Sequence, residues 1–146
     1  MAEGASGLAR PGVSHPALRI AGGLALGAAV AIATVATVEW VGGLLFPHVP
    51  DPQLTIVVAG ERALAAMPFA ARLLVVAGWC LGTFLGGAAA AAVVRRRWAV
   101  WPIAVLIVVN IAETVAGFTH PGWMIAAGLI LPWPCAWAAQ RFARHR

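Results

Sequence analysis

Charge is scarce in this chain of 146 residues: 10% of its positions carry it, against about a quarter in a soluble globular domain. There is no lysine and no tyrosine, and serine occurs only at Ser6 and Ser14. So few charges cannot cover a water-facing surface, which excludes an ordinary soluble enzyme of this size. No GxSxG motif and no glycine-rich phosphate loop between a strand and a helix occur, which excludes a serine hydrolase and a P-loop protein. The two cysteines, Cys80 and Cys135, lie in apolar stretches without CxxC spacing. They make no disulfide framework and read as small apolar packers. What fills the chain instead is hydrophobic, 62% of residues with a mean hydropathy of +0.88.

The solvent for such a composition is lipid. A spanning helix needs about 20 apolar residues, so the length holds four. The pattern predicts an all-α, integral membrane four-helix bundle with spans over 20–46, 69–94, 98–118 and 121–140, all in one domain over 19–141. Residues 1–18, with scattered Gly, Pro, Ser and His, read as a disordered tail. Pro102 falls in the first turns of the third span, where a missing amide is tolerated. Pro132 and Pro134 should kink or break the fourth.

Eight of the ten arginines (Arg10, Arg19, Arg95, Arg96, Arg97, Arg141, Arg144 and Arg146) fall on one side of this topology, and only Arg62 and Arg72 on the other. Arginine-rich short loops stay inside the cell. Both termini are therefore expected in the cytoplasm, with the 47–68 loop outside and the chain in a bacterial inner membrane. A cleaved signal peptide ending near Ala31-Ile32-Ala33 is the competing reading, but the apolar run continues past it and is too long for a typical signal core. Trp98, Trp101 and Trp137 are expected at the inner interface and Trp123 at the outer one. The Arg95–Arg97 triplet reads as a topology determinant and a contact for anionic lipid heads, not as a nucleic-acid site.

Helices in lipid associate through close backbone approach at small residues. Gly78, Gly82 and Gly86 recur every fourth position in the second span, with Gly23 and Gly27 in the first. Packing of these two spans on each other is one reading and a homodimer face is the other. In the outer loop, Leu54, Val57, Val58, Leu64 and Met67 alternate with Gln53, Glu61 and Arg62. That fits either a short interfacial helix, with Asp51 near its start, or an irregular segment across the bundle mouth.

Ionisable groups inside a membrane are costly and count as functional candidates. They are Glu39, Arg72 and Glu113, all in the outer half, with Asn110 one turn below Glu113 and with His48 and His120 at span ends. In one reading Arg72 pairs with Glu39 or Glu113 and Asn110 bonds across helices, which holds the bundle together. In the other, the carboxylate left over binds a proton, a cation or a cationic substrate. A metal site built from His48, His120, Glu39 and Glu113 lacks any ligand spacing, and no metal or cofactor is expected.

Several of these features occur together: Glu39 ahead of Phe46-Pro47, a loop ending in Met67-Pro68, a Gly-rich span ending in arginines, and His120-Pro121-Gly122-Trp123 opening the last span. The chain resembles a group of small four-span bacterial inner-membrane proteins with a His-Pro-x-Trp turn, although Thr119 stands where a proline is expected. The resemblance implies fold and location and carries no catalytic residue. Small multidrug exporters also have four spans and a glutamate in the first, but this chain is longer, has a sizeable loop and has a strong arginine bias. The expectation is a non-enzymatic structural or accessory subunit. The rival is a proton-linked transporter using Glu39 with Arg72 and Glu113, and a weaker third reading is a membrane enzyme working around His120.

Overall fold

The computed structural model describes residues 16–47, 55–117 and 119–143. Among them every regular element is helical: α1 (Pro16–Leu45), α2 (Ile56–Ala66), α3 (Phe69–Val94), a 3-10 turn (Arg97–Ala99), α4 (Val100–Gly117), α5 (Gly122–Ile130) and α6 (Pro132–Phe142). Four stretches are long and apolar enough to cross a membrane: α1, α3, Arg97–Gly117, and Gly122–Phe142, which joins α5 to α6. The shortest of them has 21 residues, which at about 1.5 Å per residue matches a hydrocarbon core about 30 Å thick. The chain is a multi-pass membrane protein by helix length and hydropathy.

Helix boundaries follow local chemistry. The sequence reading placed 16–18 in the disordered tail, but α1 begins at Pro16. Proline suits a first helical position, where its missing amide would have no partner. The loop helix forms as α2, and Thr55 starts it by accepting the Ala59 amide at 2.9 Å. Asp51, expected near its start, and His48 lie outside the described residues, as do Arg10, Leu54 and Phe118, and Arg144 and Arg146. Pro68 then caps α3, its carbonyl accepting the Ala71 and Arg72 amides at 3.0 and 3.2 Å.

α3 ends at Arg95, which takes a left-handed conformation (φ 57°) and returns its amide to the Ala91 carbonyl. Glycine is the usual residue there, because a side chain at positive φ costs about 1–2 kcal/mol. The short turn that follows makes α3 and α4 antiparallel neighbours. In the last span the helix is interrupted at Leu131, between α5 and α6, where Pro132 and Pro134 lack amides, while Leu131 keeps helical angles and its amide still reaches the Ala127 carbonyl at 2.8 Å. The opened turn leaves the Leu129 carbonyl to the Trp133 indole N–H, which donates to it at 2.8 Å.

α3 is the central helix and packs against α1, α4 and α6. Its glycines set how closely α1 approaches. A Cβ built on Gly86 would lie 2.5 Å from the Gly27 carbonyl oxygen and 2.6 Å from the Ala31 Cβ. At Gly82 it would meet the Ala31 oxygen at 2.9 Å, and at Gly27 the Ala90 Cβ at 2.6 Å. Gly78 sits against Val38, with 3.1 Å for the same hypothetical atom. The three glycines at four-residue spacing thus face α1 of the same chain.

Two apolar clusters make the interior. One runs through Ala31, Val76, Trp79, Ile103, Ile107, Ile111 and Met124. The other joins α3, α4 and α6 through Ala91, Val100, Ala104, Ala136 and Ala139. Gly128 makes room for the Trp79 ring, since a Cβ there would stand 2.8 Å from it. Threonines inside the spans satisfy themselves: the Thr34, Thr37 and Thr83 hydroxyls donate to the carbonyls four residues earlier at 2.7, 2.7 and 2.8 Å. A hydroxyl bonded in this way can face lipid or core without an orphan polar group.

Candidate functional site

The bundle is tightly packed at its arginine-rich end and opens at the end that carries α2. Towards the arginine-rich end, Gly23 and Gly27 hold α1 against Val94 and Ala90 of α3, and Ile103 of α4 closes the third side. Past Trp79 and Ile111 the helices part, and a cavity of about 850 Å³ lies between them. Trp79 and Met124 form its floor, Val38 and Gly42 of α1 and Val75 of α3 its walls, and Gly60, Ala63 and Ala66 of α2 its cover. None of the described side chains of α2 is buried, so this helix crosses the opening without entering the core. Gly60 and Ala63 are spaced three apart on one face of α2, and both line the cavity, as does Met67 just past the end of the helix.

Four groups interrupt the apolar lining: Glu39 of α1, Asn110 and Thr114 of α4, and His120 in the turn before α5. Glu39 lies six residues before the end of α1, or about 9 Å along the axis. Its side chain is exposed on this wall and not enclosed by protein. The Thr114 hydroxyl donates to the Asn110 carbonyl at 2.8 Å, which leaves the Asn110 carboxamide as a donor and acceptor on the wall. His120 is half-buried beside Pro121, whose carbonyl accepts the Met124 and Ile125 amides and so starts α5. One further contact ties the turn to the covering helix: the Thr119 hydroxyl donates to Glu61 Oε1 at 3.5 Å, the weak end of the range.

The residues singled out in the sequence separate into two groups. Glu39, Asn110 and His120 come together on the cavity. Arg72 and Glu113 do not line it. The Arg72 guanidinium reaches back towards the end of α2 and donates from Nη2 to the Ala65 carbonyl at 3.3 Å. Glu113 is exposed on α4. The division on α4 is helical geometry: three residues beyond Asn110 turn the side chain back by about 60°, whereas four turn it forward by about 40°. The cavity lies on the Thr114 side.

Sequence reasoning did not single out Thr114 or the small face of α2. The spacing of Asn110 and Thr114, and of Gly60 and Ala63, was the available signal. Gly78, Gly82 and Gly86 lie along the contact with α1, away from the polar groups. Among the described residues no three of His, Cys, Asp and Glu stand close enough to share a metal ion.

At the other end, Arg141 lies over the Trp137 ring at 3.9 Å, and Trp101 stacks with Trp133 at 6.4 Å between centroids. Arg95, Arg96 and Arg97 are all exposed. Trp123 lies at the α2 end and packs on Phe69 at 5.4 Å. Within the bundle, Cys80 of α3 and Cys135 of α6 face each other, both half-buried.

No protein-family model, curated protein or solved structure matches this chain. The resemblance therefore stands as an architecture, a small four-span membrane protein, with no family identified.

Proposed function

We propose that this protein binds a small molecule within the membrane, that its working site is the cavity under α2, and that it holds its ligand without transforming it. The observation that carries the reading is the cavity itself. At about 850 Å³ it lies within the range of about 300–1,000 Å³ typical of small-molecule sites. Its lining has the composition of such sites, apolar surface with a few polar groups. Binding without chemistry fits the polar set, because the Thr114 hydroxyl is committed to the Asn110 carbonyl and is not held by a neighbouring base as a nucleophile would be.

In this reading the arginine-rich end is cytoplasmic, as eight of ten arginines on that side favour. The cavity then opens in the outer half of a bacterial inner membrane, and Arg95, Arg96 and Arg97 meet anionic lipid heads. The transporter expectation built on Glu39, Arg72 and Glu113 narrows to Glu39, the member of that trio that lines the cavity. An accessory subunit of a larger assembly is the second reading. It is favoured by α1, whose Leu26, Ile32, Trp40 and Leu44 all face outward, and stable co-purification of another membrane protein would support it.

The test uses the full chain in phosphatidylcholine nanodiscs and a neutral, environment-sensitive fluorophore. Saturable binding above that of empty discs is expected, and Ala63→Phe, which fills the cavity from α2, should abolish it. No saturable signal, or equal binding by Ala63→Phe, would overturn the reading.

A further inference from the structure

In lipid the apolar walls of this cavity distinguish poorly between a ligand and the acyl chains around it, because hydrocarbon is as apolar as leucine. Affinity and selectivity therefore fall to the polar groups. Asn110, Thr114 and His120 supply hydrogen bonds that most amphipathic molecules can use, and Glu39 is the acidic side chain among the described lining residues. Among the described residues no arginine stands on that lining: Arg72 turns to the Ala65 carbonyl, Arg62 is exposed on α2 outside the lining, and Arg19, Arg95, Arg96, Arg97 and Arg141 belong to the other end of the spans. The Coulomb attraction between a carboxylate and a cation grows as the local dielectric constant falls, and a cation with an apolar, weakly hydrated body gives up the least solvation to reach it.

We infer that the ligand is a hydrophobic monocation: one positive centre placed against the Glu39 carboxylate and an apolar body seated over Trp79 and Met124. This rests on the cavity being a ligand site, as proposed above, and it adds the chemical class. One carboxylate among the described lining residues balances one charge, so dications and anions are disfavoured. The small residues Gly42, Gly43, Gly60 and Ala63 along the lining leave room for a broad body, such as several rings.

Two probes of similar size separate the class from the site: tetraphenylphosphonium, a monocation, and triphenylphosphine oxide, which is neutral. Each is titrated against the full chain in phosphatidylcholine nanodiscs with empty discs subtracted. The cation should bind at least about tenfold more tightly than the neutral probe. Glu39→Gln should remove that preference while the neutral probe still binds, which also reports that the variant is folded. If Glu39→Gln loses both probes, Glu39→Asp decides. A retained cation preference in that variant supports the inference, and a lost preference with the neutral probe still bound overturns it. Equal binding of both probes, unaffected by Glu39→Gln, overturns the ligand class and leaves the cavity as a site. Binding of neither above empty discs overturns both.

Discussion

Replacing Gly86 by alanine adds one methyl group at the place where α1 and α3 come closest. The new Cβ would lie 2.5 Å from the Gly27 carbonyl oxygen and 2.6 Å from the Ala31 Cβ. An unstrained C···O approach is about 3.3 Å, so the two backbones must part by about 0.8 Å. Neither obstacle is the free end of a flexible side chain, and parting the helices also loosens the neighbouring contacts of Gly27 with Ala90 and of Gly82 with Val35. Overpacking of this kind costs about 1–3 kcal/mol, while alanine gains up to about 1 kcal/mol over glycine in a helix. With that gain subtracted, the net expectation is a loss of up to about 2 kcal/mol. Gly22 supplies the control, because a Cβ there meets nothing within 4 Å and Gly22→Ala should only gain. Reversible unfolding in mixed detergent micelles measures both. Gly86→Ala at or above wild-type stability would refute the close approach of α1 and α3.

Other outcomes follow from single contacts. Gly82→Ile drives a branched side chain into the Ala31 carbonyl and Val35 and should destabilise the single chain itself; a variant that loses a cross-linked dimer while the monomer stays intact would instead mark a homodimer face. Cys80 and Cys135 face each other, so mercuric ion should bridge them within one chain and hold α3 to α6 on a denaturing gel after cleavage between them. Separate fragments would argue against that packing. Trp133→Phe removes the indole donor to the Leu129 carbonyl and should lower stability by about 0.5–1.5 kcal/mol; no change in unfolding would mean that the opened turn finds another donor. A reporter fused after Arg146 should read as cytoplasmic, and an exported signal would reverse the orientation assigned from the arginines.

Much of the architecture was legible because lipid imposes it. A run such as 69–94, apolar but for Arg72 and Thr83 and bounded by Pro68 and Arg95, has one stable conformation in hydrocarbon, so its ends could be read to the residue. The interruption of the last span was legible from Pro132 and Pro134, whose missing amides remove two bonds of the helix. α2 was ambiguous because Gly60 weakens a helix and the loop is half polar. The three residues 16–18 were misjudged because Pro16 reads as a breaker when its position in the helix is unknown.

The site was only partly legible. Depth in the membrane can be counted along a helix, and it placed Glu39, Asn110 and His120 at one level. Depth alone says nothing about azimuth, and a difference of one residue separates Thr114, on the cavity, from Glu113, which is off it. Arg72 turned to a backbone carbonyl at the end of α2, a contact that depends on a loop fold that no pattern in the spans encodes.

Labelling with a photoactivatable neutral diazirine tests the central claim, that the cavity under α2 is a ligand site, most directly. The full chain in nanodiscs is irradiated with the probe and its labelled residues are mapped by mass spectrometry. Labelling should concentrate on Val38, Ala63, Val75 and Met124, and be lost from Val38, Val75 and Met124 in Ala63→Phe. Labelling spread evenly over outward-facing residues such as Leu26, Leu81 and Val105, and unchanged in Ala63→Phe, would contradict it.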